Sequence, residues 1–203
     1  VAALRVSAGA APDHTRESLT VVPVPVSDVV AILRRPPALA TTVLLAAGLT
    51  GLALARSGPS AGTLRMIPIL AALAAIIVLD LWSHTIPDVV SLPGLGYALV
   101  MAAVFRQPPL LVAVQGVLVC GGLVWAMAIA SRGSVGGGDI KLMAMLGATL
   151  GWKLGLVAWA LSQVAGFVVG MALITRGLRQ WQDPLPAGAL MAAFGALLIA
   201  TSP

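Results

Sequence analysis

The stretch PLLVAVQGVLVCGGLVWAMAIA, residues 109–130, holds no charged side chain and a single amide, Gln115. A helix needs about 20 apolar residues to cross about 30 Å of hydrocarbon, and this run meets that length. It does not alternate apolar and polar residues with period two, as a barrel strand would. Working outward, similar apolar runs recur at 38–55, 66–81, 89–105, 140–151, 154–175 and 186–201. The runs at 66–81 and 140–151 are short for a crossing, so each is expected to tilt or to continue through a polar end. The chain is 59% hydrophobic and only 9% charged, with a mean hydropathy of +1.02. So little charge cannot coat a water-facing surface, and in lipid every spanning segment must satisfy its own backbone hydrogen bonds. The reading is an all-α, polytopic transmembrane bundle of about six or seven helices.

Residues 1–36 read as a cytosolic tail with one interfacial segment near 20–33, and residues 37–203 as the membrane domain. The tail lacks the basic start, short apolar core and small-residue cleavage site of a signal peptide. The net charge of +5 is spread between the apolar runs, which suits topology determinants better than a nucleic-acid surface. With the N-terminus inside and seven crossings, Arg5, Arg16, Arg34, Arg35, Arg132, Lys141, Arg176 and Arg179 fall inside. Arg56, Arg65, Arg106 and Lys153 fall outside. Eight against four favours a cytoplasmic N-terminus. Cys120, the only cysteine, rules out an intrachain disulfide and reads as a small buried hydrophobe.

Of seven acidic residues, three lie in the tail, and Asp80, Asp88, Asp139 and Asp183 all fall at the edges of apolar runs. An ionisable group at the membrane is costly and invites a functional explanation. Asp80 closes the run Ile76-Ile77-Val78-Leu79, and Pro87 forces Ile86 off the helix shortly afterwards. Asp139 follows Gly136, Gly137 and Gly138, which permit positive φ and a looped close approach, and it opens the next helix at its positive end. On the charge count, both carboxylates reach the same face. Two such groups suit aspartyl hydrolysis: one takes a proton from water while the other polarises the scissile carbonyl, and like charges a few Å apart resist joint ionisation. With only His14 and His84 present, neither a zinc set nor a Ser/His/Asp triad is apparent, although Ser83 and Ser134 lie nearby in sequence. No metal or organic cofactor is called for.

These residues resemble the prepilin peptidase (type IV leader peptidase) family of GxGD intramembrane aspartyl proteases. The first motif is met by Asp80, Ile86-Pro87-Asp88 and Leu92-Pro93-Gly94. The second is met by Gly136-Gly137-Gly138-Asp139-Ile140-Lys141, with Leu142 and Gly147 following. A weaker match, Leu185-Pro186-Ala187-Gly188, stands before the last helix, and the resemblance covers about 66–201. It departs at Leu81–Thr85, which lacks the basic residues common there, and at Ala189, where a second proline is expected. The resemblance implies that Asp80 and Asp139 are the catalytic pair and that Gly136, Gly137 and Gly138 shape the site. Lys141, Pro87, Asp88 and Pro186 are auxiliary candidates. Lys141 contacts headgroups, modulates Asp139 or snorkels; Asp88 caps the following helix; Pro87 forms the turn. With no counterpart here to the methyltransferase region of larger members, a compact peptidase-only form is expected, similar to those serving Flp/Tad-type pili or related secretion systems. The implied substrate is a prepilin or pseudopilin with a basic leader and an apolar helix, cut at the cytoplasmic edge of the bacterial inner membrane. Membrane lipid is the other expected partner, nucleic acid is not, and homo-oligomerisation is left open. The competing reading is a small proton- or cation-coupled transporter that uses the same aspartates.

Overall fold

The computed structural model describes residues 26–131, 135–178 and 186–201. The tail up to residue 25, with His14, and also Arg132, Ser134, Arg179 and Asp183 lie outside the described residues. The described residues form seven helices and no strand: α1 Val26–Leu33, α2 Pro36–Ser57, α3 Ala61–Ser83, α4 Asp88–Phe105, α5 Leu110–Ala130, α6 Gly137–Thr175 and α7 Ala187–Thr201. Five of them, α2 to α6, are long and apolar enough to cross a membrane. Large apolar side chains such as Leu44, Leu111, Leu118 and Phe167 are exposed, a surface suited to lipid rather than water. Among the described residues no buried side-chain nitrogen or oxygen lacks a hydrogen-bond partner. The chain is a multi-pass membrane protein.

Local chemistry sets the helix ends. Pro36 and Pro37 open α2, where proline costs no hydrogen bond. Ser60 caps α3 by accepting from the Thr63 N–H at 3.1 Å. At its other end, His84 turns left-handed (φ 50°, ψ 33°) and donates its N–H to the Asp80 carbonyl. Pro87, extended and buried, then starts α4. The expected interfacial segment appears as α1, too short to span.

The expected segments 140–151 and 154–175 are the two arms of α6. Gly151 sits between them at φ 74°, ψ 169°, a region essentially reserved for glycine. In a straight helix residues 147 and 155 would lie about 12 Å apart along the axis. Instead a Cβ built on Gly155 would lie 3.4 Å from the Gly147 Cα. The arms therefore fold back as a hairpin. Buried Cys120 reaches into its apex, its Sγ 3.7 Å from the Trp152 carbonyl oxygen. Cys120 itself belongs to a π-helical turn over Val117–Gly121 within α5.

Small residues let the helices approach closely, which in lipid replaces the hydrophobic drive to associate. Gly116 of α5 and Gly147 of α6 meet backbone to backbone, with no room for a Cβ on either. The core gathers Leu70, Leu73 and Ile76 of α3 with Met143 and Leu146 of α6 and Ala192 and Ala196 of α7. α3 is central: Ile69, Leu70, Leu73, Ala74 and the unbroken run from Ile76 to Asp80 are buried. The C-terminal end of α3 and the N-terminal ends of α4, α6 and α7 meet at one end of the bundle. At the other end a cavity of about 640 Å³ opens above Thr149, Leu150 and Ile199. These residues lie where the short first arm of α6 and the short α7 finish. The shortness of both is taken up at that far end, which leaves their beginnings level with the ends of α3 and α4.

Candidate functional site

Asp80 lies in the last turn but one of α3 and is 5% exposed. Its Oδ2 accepts the Ala189 N–H at 2.7 Å. Ala189 is the third residue of α7, and N–H groups of a first turn have no partner within their own helix. The chain thus aims a helix N-terminus at a buried carboxylate. Pro186 stands immediately before this helix, so its place is to start α7 rather than to touch the carboxylates.

Asp139 is the third residue of α6, and its N–H donates to the Gly136 carbonyl at 3.1 Å. It is half-buried, and Gly138 beside it closes on Ile86, against which Gly188 also closes where it borders the Asp80 Cγ. The structure therefore brings together two carboxylates from different helices at one end of the bundle.

The glycine run behaves differently from the sequence expectation. None of Gly136, Gly137 and Gly138 has positive φ, and Gly137 and Gly138 already belong to the helix. What the run provides is clearance. A Cβ on Gly138 would lie 2.7 Å from the Ile86 Cβ, and one on Gly188 would lie 2.6 Å from the Ile86 Cδ1 and 3.2 Å from the Asp80 Cγ. Ile86 is thus wedged between α6 and α7, close to Asp80 through Gly188.

Asp88 and Lys141 also depart from their expected roles. Asp88 does not cap α4: it is the helix's first residue, and the preceding Pro87 makes no side-chain cap. Its Oδ1 instead pairs with the Lys141 Nζ at 2.6 Å. Lys141 is neither a free snorkelling cation nor directed at Asp139. Sequence reasoning placed Ile86, Gly188 and Ala189 within motif segments or beside them but gave none of them a contact at the carboxylates.

The sequence model of the type IV leader peptidase family matches residues 67–171, a span that holds both aspartates. The chain belongs to that family. Among relatives in the family, the prepilin leader peptidase/N-methyltransferase of Burkholderia pseudomallei (strain K96243) is 35% identical over 158 residues, 75% of this chain and 50% of the relative. The protein of the same name from Aeromonas hydrophila is 32% identical over 142 residues, 68% of this chain and 49% of the relative. That from Pseudomonas putida is 30% identical over 145 residues, 69% and 50% of the two chains. The chain spans about half the length of the curated relatives it matches. No solved structure gives a significant match.

Proposed function

We propose that this leader peptidase family member hydrolyses the leader of prepilin-like precursors, with Asp80 and Asp139 as the catalytic pair. The observation that carries the reading is the meeting of these two carboxylates at one end of the bundle. One carboxylate takes a proton from water, and the resulting hydroxide attacks the scissile carbonyl carbon. The other gives its proton to the carbonyl oxygen. Collapse of the tetrahedral intermediate breaks the C–N bond as the first carboxyl passes the water's proton to the leaving nitrogen and the second takes back a hydroxyl proton, leaving a carboxyl group on the leader and an amine on the apolar segment. The Ala189 N–H fixes the Asp80 carboxylate through Oδ2. Among the described residues Oδ1 has no protein partner, which leaves it for the water and for the proton shared with Asp139.

The substrate class follows from position. A precursor with a basic leader and an apolar helix presents its junction at a membrane edge, where water is at hand. We read the aspartate end as cytoplasmic, the membrane as the bacterial inner membrane, and residues 37–203 as one peptidase unit. The eight-to-four charge count supports this orientation. Trp82, exposed beside the site with Arg35 at 5.9 Å from its ring centroid, suits a membrane–water interface. A transporter would place its ionisable groups near mid-span on broken helices; both aspartates lie at helix ends, and the α6 break is remote from them.

Co-expression of candidate prepilins with the wild type and with Asp80→Asn or Asp139→Asn tests the proposal. Leader removal is expected with the wild type only, and each variant is expected to lose about 10³-fold or more in rate, as when one member of a catalytic unit is lost. Processing by both variants would overturn the assignment. Proton-linked transport lost in the same variants, without cleavage by the wild type, would favour the transporter.

A further inference from the structure

The two motif segments are joined by a chain of contacts. From Asp80 the chain runs through the left-handed His84, the wedged Ile86 and the buried Pro87 to Asp88. Asp88 binds Lys141 across 2.6 Å, and Lys141 lies two residues beyond Asp139 on α6. Successive helical residues are turned by about 100°, so side chains two apart point to nearly opposite sides. A pull on Lys141 toward α4 therefore turns Asp139 away from α4, toward α3 and α7, where Asp80 stands.

We propose that Asp88 and Lys141 are positioning residues: their ion pair is a latch that sets the rotation of the first turn of α6 and so the separation of the two carboxylates. The proposal rests on the peptidase reading above. The two side chains are 29% and 33% exposed. Pairs this accessible add little to global stability, so the latch acts on local geometry. Misplacement of reacting groups by about 1 Å costs up to about 100-fold in rate.

The test uses the full chain in detergent or vesicles with a precursor bearing a basic leader and an apolar helix. Lys141→Met and Asp88→Asn are each expected to lower kcat by about 10- to 100-fold with KM and Tm unchanged. Lys141→Arg is expected to keep most of the rate, and the charge swap Asp88→Lys/Lys141→Asp to recover most of what the single variants lose. Wild-type kcat in the single variants overturns the latch. So does a loss confined to KM, which would place Lys141 on the substrate, or a swap no better than the single changes. A second measurement needs no cleavage: the Asp80→Cys/Asp139→Cys variant is expected to oxidise to a disulfide, more slowly once Lys141→Met is added. An unchanged rate overturns the latch whether or not the protein cuts. A wild type that cuts nothing, with the latch-dependent cross-link intact, counts against the peptidase reading alone.

Discussion

Ile86 packs between Gly138 of α6 and Gly188 of α7, and Gly188 in turn borders Asp80. Two helices thus lack a Cβ where a third element inserts. Gly188→Ala, which would meet the Ile86 Cδ1 and Cγ1, is expected to cost about 1–3 kcal/mol by overpacking and to lower cleavage, with partial rescue by Ile86→Ala, which removes both atoms. Gly136→Ala, whose nearest neighbour would be the Asp139 Oδ2 at 3.5 Å, is expected to be tolerated; thermal unfolding in detergent and leader cleavage check both. The aspartates were legible in the sequence because each interrupts or borders an apolar run. The Ala189 contact was not, since a backbone donor 109 residues away leaves no mark on residue type. The Asp88–Lys141 pair, 53 residues apart, was visible as two motif charges but not as partners.

The seven apolar runs correspond in order to α2 through α5, the two arms of α6, and α7. They were legible because apolar length is the dominant requirement of a bilayer. The separation of the α6 arms was legible too, since Gly151, Trp152 and Lys153 interrupt the run. What hydropathy could not show was the π-helical turn around Cys120, which answers to the shape of the hairpin apex. Gly151→Ala is expected to lose about 1–3 kcal/mol from its backbone angles, besides a Cβ 2.9 Å from the Val112 Cγ1. Gly147→Ala meets the Gly116 backbone and cannot be relieved by a side-chain movement. It is expected to lower the yield of folded protein sharply. Gly51→Ala, with nothing within 4 Å, is expected to leave it unchanged. Yields of monodisperse protein after extraction separate the three.

At the scale of the whole molecule, His84 belongs to the aspartate end and Gln107 to the opposite end, and both are exposed. Under the proposed orientation, a membrane-impermeant thiol reagent added outside spheroplasts is expected to label Gln107→Cys but not His84→Cys, with the pattern reversed in inverted vesicles. Native Cys120 is 0% exposed and is expected to stay silent. Labelling of His84→Cys from outside would invert the topology. The orientation rests largely on tail and loop arginines, whereas the gathering of helix ends follows from the fold itself. The α6 hairpin carries one more consequence, for biogenesis. Its first arm, residues 137–150, is about 21 Å long at 1.5 Å per residue, too short to partition into lipid as an independent span. It enters the membrane together with the second arm, after residues up to 175 have been synthesised, and the donor to Asp80 arrives later still, with residue 189. Under the proposed peptidase reading, a chain emerging from the ribosome therefore carries an incompletely held Asp80 through most of its insertion and stays inert until α7 docks.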